Sequence, residues 1–125
     1  MKIIHAKDVP APKGHYSHAV LSNGLLFVSG VLPEPAANPT DDDLERQVRS
    51  VFARCEQILR AGGSSLSQVV QCTVYLADVE LWARFNEIYA NIFGEHKPAR
   101  AVVPVPALHY GFLVEVQIVA QVNPS

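Results

Sequence analysis

Residues 112–121, near the end of the chain, alternate between two kinds of side chain, and this pattern restricts the fold more than any other feature. Side chains of a strand point alternately to opposite faces, so one face here would be wholly apolar. That face would carry Val114, Val116, Ile118 and Ala120. The other would carry Leu113, Glu115, Gln117, Val119 and Gln121. The pattern predicts a strand with one face in the core and a second face of mixed character.

Residues 69–76 repeat the alternation and predict a second strand of the same sheet. The expected faces are Val70, Cys72, Val74 and Leu76 against Val69, Gln71, Thr73 and Tyr75. Two helices can cover only one face of such a sheet. The second face is either solvated, as antiparallel sheets allow, or buried against a partner subunit. We favour a partner, because the second face would otherwise expose several large apolar side chains.

The remaining segments complete an α+β fold with the order ββαβαββ. Strands are predicted at 2–6, 17–21, 25–29 and 100–105, and Asn23-Gly24 predicts the hairpin turn before the third segment. A helix should start near Asp41, capped by Thr40, and end at Gly62-Gly63. Its core-facing side should carry the apolar residues that recur at helical spacing: Leu44, Val48, Val51, Phe52, Cys55, Ile58 and Leu59. A second should follow Asp78 and end at Gly94, with Trp82 in the core. We expect one domain, 1–125, with both helices packed on one face of the sheet.

Composition excludes several classes of protein. The chain has 125 residues, of which 49% are hydrophobic and 18% charged, enough for one core. Ten basic and twelve acidic residues give a net charge of −2, so we expect no nucleic-acid partner. Cys55 and Cys72 lack metal-ligand spacing and predict a reducing compartment. No apolar segment is long enough to cross a membrane, so we expect a cytoplasmic protein without membrane contact.

Arg100 and Glu115 are the candidate catalytic residues. A guanidinium can hold a carboxylate with paired hydrogen bonds, and a carboxylate in an apolar strand can deprotonate water. Together they suggest hydrolysis of a small acid. Taken singly, each residue has a structural alternative. Arg100 could form a structural ion pair or lie in solvent, and Glu115 could lie on the solvent-exposed face of a strand.

The five histidines do not form a metal site in the sequence. His15 and His18, three residues apart on an extended segment, face opposite ways, and no second pair at ligand spacing follows. We therefore predict no metal. His109 and Tyr110, in the turn before the Glu115 strand, either line a pocket or form a loop tip.

Six motifs, in order along residues 11–122, together resemble the RidA (YjgF) family of reactive-intermediate deaminases. They are GHYSHAV at 14–20, LLFVSG at 25–30, FNEIY at 85–89, FGEH at 93–96, PAR at 98–100 and ALHYGFLVE at 107–115. The resemblance implies a chorismate-mutase-like fold and a homotrimer with a barrel-like interior and active sites between subunits.

The resemblance also implies a reaction, the hydrolysis of small enamine or imine acids such as 2-aminoacrylate and 2-iminopropanoate to 2-oxo acids and ammonia, without a cofactor. By motif position, Arg100 would bind the substrate carboxylate and Glu115 would orient water. Tyr16, Ser29, Asn86 and Val102 match substrate-binding positions.

Departures from the family pattern leave alternatives. Val102 stands where several members have a cysteine, so only its main chain can contact substrate, and His109-Tyr110 replaces Pro-Lys. These changes favour a larger substrate, as in an aminomuconate-type deaminase. A non-catalytic trimer that binds small carboxylates or a protein is the alternative of another class, and ribonuclease activity is a remote one.

Overall fold

The computed structural model describes residues 1–122, so the end of the predicted domain, 123–125, lies outside the described residues. Its strands are β1 (Lys2–Ile4), β2 (Ala19–Ser22), β3 (Leu25–Val31), β4 (Val69–Leu76), β5 (Ala99–Pro104) and β6 (Val114–Gln121). Its helices are α1 (Leu44–Ala61) and α2 (Trp82–Phe93). Short 3-10 turns lie at Pro39–Asp41, Leu66–Gln68, Val79–Leu81 and His109–Gly111. The predicted α+β fold is confirmed, and the strand predicted at 2–6 is present as β1, so three strands and not the two of the order ββαβαββ precede α1.

The strands form one sheet in the order β1-β2-β3-β6-β4-β5. Only β4 and β5 are parallel, and α2 supplies the crossover that a parallel pair needs. The predicted hairpin joins β2 and β3, where Asn23 and Gly24 both have positive φ, 53° and 75°. This is the backbone that a two-residue turn between twisted strands requires.

The core lies between the two helices and one face of the sheet. All seven apolar residues predicted to face inward from α1 are buried: Leu44, Val48, Val51, Phe52, Cys55, Ile58 and Leu59. Val114, Val116, Ile118 and Ala120 of β6 meet them, each at most 1% exposed. Gln47 is also buried on α1, where its amide oxygen accepts a hydrogen bond from the Leu113 amide at 2.7 Å. The alternation of β6 therefore identified the core face.

A bulge at the start of β4 reverses part of the predicted alternation. Val69 pairs with Ala120, but the next paired residue on β4 is Gln71, opposite Val119. The extra residue, Val70, is 46% exposed, whereas Val69 is 2% exposed. The expectation that Val69 faces away from the core and Val70 into it was therefore wrong, because an inserted residue shifts the period-two pattern by one.

Both predicted helix starts were too early. Asn38, not Thr40, caps the 3-10 turn at Pro39–Asp41, and α1 begins at Leu44 with Asp43 as its cap. The Asp78 carboxylate accepts from the Glu80 amide and so caps the turn that leads into α2. Trp82 is 45% exposed at the first position of α2, so its assignment to the core was wrong.

The face of the sheet opposite the helices is uncovered within residues 1–122. Phe27 is 45% exposed there, and Tyr75 and Val119 are half-buried. A partner subunit against this face stays a prediction. No helix among residues 1–122 has both the length and the apolar character needed to cross a membrane.

Candidate active site

Arg100 and Glu115 lie on opposite faces of the sheet. On β4, Arg100 is opposite Cys72, whose side chain points into the helix-covered core, whereas Glu115 is opposite Tyr75 on the uncovered face. Strand geometry puts their Cα atoms roughly 14 Å apart, with two strand spacings between them. The two side chains of one chain therefore cannot hold the same small molecule.

The Arg100 group consists of Arg100, Asn86, Tyr89 and Val102, at the edge where β5 meets α2. Nη1 of Arg100 donates a 2.8 Å hydrogen bond to Oδ1 of Asn86, and the guanidinium carbon lies 4.8 Å from the centroid of the Tyr89 ring. Val102 is half-buried on the same face, two residues along β5.

Arg100 differs from most arginines of the chain in its electrostatic surroundings. The carboxylates of Asp42, Glu45, Glu56 and Glu87 pair with other arginines: Arg46, Arg49, Arg60 and Arg84. Within residues 1–122 no carboxylate lies at ion-pair distance from Arg100. Its two neighbours, an amide and an aromatic ring, are uncharged. The guanidinium is therefore held in place with its positive charge uncompensated.

The Glu115 group consists of Glu115, Gly30, Ser29 and Tyr16. A bulge in β3 makes Ser29 and Gly30 together face Gln117 of β6, because the pairing jumps from Val28–Ile118 to Val31–Val116. At Gly30 a Cβ atom would collide with the Glu115 carboxylate. Glycine in a strand interior often marks such a close approach. The carboxylate therefore lies directly against the Gly30 backbone.

Ser29 connects this bulge to the segment that carries Tyr16. The Ser29 hydroxyl donates a 2.7 Å hydrogen bond to the carbonyl oxygen of Ser17. Tyr16 is 51% exposed, and its ring packs 3.3 Å from the position of a Cβ at Gly14. The predicted pocket residues therefore divide between the two groups, with Tyr16 and Ser29 near Glu115 and Asn86 and Val102 near Arg100.

Burial raises the pKa of Glu115, and the neighbouring His109 opposes the rise. A carboxylate whose pKa is raised is a stronger base than an ordinary glutamate. The charge and surroundings of Glu115 thus suit proton transfer.

The turn with His109 and Tyr110 lies at the exposed margin of the Glu115 group. Tyr110 has φ 60° and ψ 17°, a left-handed backbone that is uncommon for an aromatic residue. Its ring is 72% exposed, and the Lys13 ammonium lies 5.3 Å from its centroid. Both side chains of this turn are accessible to a ligand.

His18 has a structural position. Its ring is 6% exposed, Nδ1 accepts from the Ala6 amide at 2.9 Å, and Nε2 therefore carries the hydrogen that is donated to the Pro10 carbonyl at 2.9 Å. Neither nitrogen is free to coordinate a metal, and His15 is exposed. Across residues 1–122 no cluster of three or more potential ligands can hold a metal ion.

Comparison with known families gives the same assignment as the motifs. The profile of the family described as Endoribonuclease L-PSP matches residues 6–122, almost the whole chain. The chain belongs to the RidA (YjgF) family. A RutC family protein of Pyrococcus horikoshii is 38% identical to this RidA-family chain over 121 residues, covering 95% of the chain and 96% of the relative.

Two further relatives carry more informative descriptions. Reactive Intermediate Deaminase A, chloroplastic, of Arabidopsis thaliana is 35% identical and covers 95% of this RidA-family chain and 65% of the plant protein. The structure of E. coli TdcF with bound serine superposes with a TM-score of 0.86 at 28% identity, covering 98% of this chain and 100% of TdcF.

Two residues next to the predicted site of this RidA-family protein were missed in the sequence. Gly30 had a recognisable signal, since a glycine inside an apolar strand indicates a bulge or a close backbone approach. Tyr89 had one too, because it follows Asn86 by three positions on a helix and so shares its face. The structure adds both to the residues around Arg100 and Glu115.

Proposed function

We propose that this protein is a cofactor-independent deaminase that hydrolyses small imine or enamine carboxylic acids, of the 2-iminopropanoate and 2-aminoacrylate type, to 2-oxo acids and ammonia. The observation that carries the proposal is the uncompensated charge of Arg100, which is held in place by two uncharged neighbours. A substrate carboxylate is the natural partner for such a guanidinium. The description of the plant relative as a reactive intermediate deaminase supports the same reaction class.

The active site, in this proposal, lies between two copies of the chain in a homotrimer. One copy supplies Arg100 and the next supplies Glu115, since the two side chains of a single chain face opposite ways. The uncovered faces, with Phe27 and Val119, would line the barrel-like interior of the trimer. E. coli TdcF, whose structure contains bound serine, supports binding of a small carboxylate by this fold.

The reaction needs one water and no redox step. Arg100 holds the carboxylate, so that the neighbouring C=N carbon lies in front of the Glu115 carboxylate. Glu115 accepts a proton from water as the oxygen bonds to the carbon of the protonated imine, whose C=N electron pair moves to nitrogen, and a neutral tetrahedral amino alcohol forms. Glu115 then gives that proton to the nitrogen. The C–N bond breaks with its electron pair leaving on ammonia, and Glu115 takes the hydroxyl proton as the C=O bond forms. Positioning supplies most of the rate enhancement.

The other predicted site residues have supporting roles in this proposal. Tyr16 closes the pocket from the Glu115 side, and the Val102 main chain contacts the substrate near Arg100. Ser29 fixes the bulge beneath the carboxylate through its bond to Ser17. The exposed pair of His109 and Tyr110 favours a substrate with a longer or ring-bearing tail, as in an aminomuconate-type deaminase. We also propose a cytoplasmic location. It stays a proposal because one relative is chloroplastic by name.

The test is release of 2-oxo acid from imines that an amino-acid oxidase generates in situ. Wild type should accelerate the release, and Arg100→Ala and Glu115→Gln should both abolish the acceleration. Arg60→Ala is the matched control, because Arg60 is an exposed arginine of α1, paired with Glu56. If the protein is instead a non-catalytic carboxylate-binding protein, the wild type should not accelerate imine hydrolysis. The Glu115→Gln variant should then still bind 2-oxo acids. Unchanged kinetics in Arg100→Ala would contradict the proposed mechanism.

A further inference from the structure

Arg100 is restrained at one edge and on one face. Asn86 accepts one hydrogen bond from Nη1, and the Tyr89 ring lies beneath the guanidinium plane at 4.8 Å. We propose that Asn86 and Tyr89 are positioning residues that aim Arg100 at the substrate carboxylate, and that Asn86 must stay uncharged for this. The inference deepens the proposed function and rests on its assignment of Arg100.

Asn86 and Tyr89 are one helical turn apart on α2, so both side chains point to the same side. The hydrogen bond to Asn86 is the only one that the Arg100 side chain makes within residues 1–122. The other N–H groups of the fork are therefore available for a bidentate contact with a carboxylate. Fixing the fork in advance reduces the conformational entropy lost on binding.

The Tyr89 ring is a rigid support. It is 7% exposed and packs against three aromatic rings, with centroid distances of 5.8 Å to Phe52, 5.5 Å to Phe85 and 4.6 Å to Phe93. A guanidinium over such a ring gains a cation–π attraction that cancels none of its charge. The Tyr89 hydroxyl is buried beside the Cys72 thiol, a weak partner, and no atom of residues 1–122 lies in hydrogen-bond geometry with it. The ring and not the hydroxyl therefore accounts for this contact.

The neutral amide of Asn86 also leaves the charge of Arg100 uncancelled. An aspartate there would keep the acceptor atom but would form an ion pair with Arg100, as Glu45 does with Arg84 at 2.7 Å. That carboxylate would compete with the carboxylate of the substrate for the same guanidinium. Asparagine orients the guanidinium and leaves its charge for the ligand.

The experiment compares Asn86→Asp and Asn86→Ala with Asn91→Asp, in both catalysis and binding. Asn91 is an exposed asparagine of the same helix, so its change adds the same charge away from Arg100. Binding is measured by NMR titration with 2-oxobutanoate. We expect Asn86→Asp to weaken the binding of 2-oxobutanoate and to raise KM, each by about 10-fold or more. The change in kcat should be smaller, and Tm should not fall. Asn86→Ala should weaken binding less, and Asn91→Asp should match wild type.

Tyr89 is tested by replacing the ring. Tyr89→Leu should raise KM several-fold, and Tyr89→Phe, which keeps a ring, should raise it less. Equal affinity for 2-oxobutanoate in wild type and Asn86→Asp would overturn the inference. If wild type binds 2-oxobutanoate but hydrolyses no imine, the proposed reaction fails while the binding comparison still decides the role of Asn86. If wild type binds no 2-oxobutanoate, both fail.

Discussion

The Glu115 carboxylate lies against the Gly30 backbone on the neighbouring strand, with no space for a Cβ atom between them. The bulge that carries Gly30 is held by the hydrogen bond from Ser29 to Ser17. The position of the proposed base is therefore set by backbone on one side, and a single added methyl group would move it.

We expect Gly30→Ala to reduce kcat by about 10-fold or more while the protein stays folded, because the atom in the way is the end of a flexible side chain. Steady-state imine hydrolysis and thermal unfolding measure the two effects. The affinity for 2-oxobutanoate is the control readout, because the proposed carboxylate contact is Arg100, and Gly30→Ala should leave that affinity near the wild-type value. A loss of affinity as large as the loss in kcat would mean that Gly30 acts on something other than the position of Glu115.

Glu115→Gln should raise the stability of the folded protein at neutral pH. Because burial raises the pKa of Glu115, the folded state binds this proton more tightly than the unfolded state. The folded state therefore loses stability as the pH rises through that pKa. The Tm of the variant should exceed that of wild type at pH 7, and the difference should shrink as the pH falls below about 4, where the glutamate becomes protonated in both states. A difference in Tm that is independent of pH would contradict this account.

Mixing two inactive variants should restore activity if the site is shared between copies. Refolding Arg100→Ala together with Glu115→Gln in equal amounts should produce mixed trimers, in which about one quarter of the sites contain both native residues. Imine hydrolysis should return to about that fraction of the wild-type rate. Each variant refolded alone is the control, and failure of the mixture to regain activity would exclude a site built from two chains.

Gly62→Ala should destabilise the protein by about 1–3 kcal/mol through overpacking. A Cβ at Gly62 would lie 2.6 Å from the Leu26 side chain, which is fully buried. Urea unfolding measures the free energy of unfolding. Leu26→Ala should relieve the clash, so the double variant should lose less than the sum of the two single changes. Additive losses would show that the two positions do not interact.

Much of the fold was predictable because the local turn and helix signals in the sequence agree with the pattern of buried apolar residues. The Asn23-Gly24 turn and the buried face of α1 followed from the sequence and are confirmed. The bulge at Val70 was not predictable, since the alternation of residues 69–76 continues in the sequence through the point where pairing slips. Trp82 was misassigned because it lies three residues before the buried Phe85, which is core spacing, but it begins α2 and stays exposed there.

The arrangement of the candidate site could be predicted only in part from the sequence. The alternation of β6 placed Glu115 on the face away from the core, as the structure has it. The face of Arg100 depends on the parallel register of β5 with β4, which the crossover through α2 determines. Long-range pairing of that kind has no local signature, so the separation of Arg100 from Glu115 emerged only in three dimensions.

His18 has a consequence for shortening the chain. Its buried imidazole is held by the backbone of Ala6 and Pro10, so the N-terminal segment completes the hydrogen bonding of an interior ring. A protein trimmed past Pro10 would lose both partners at about 1–3 kcal/mol for each unpaired polar atom. The first ten residues of this sequence are therefore a structural part of the folding unit, and any truncation or fusion should leave them intact.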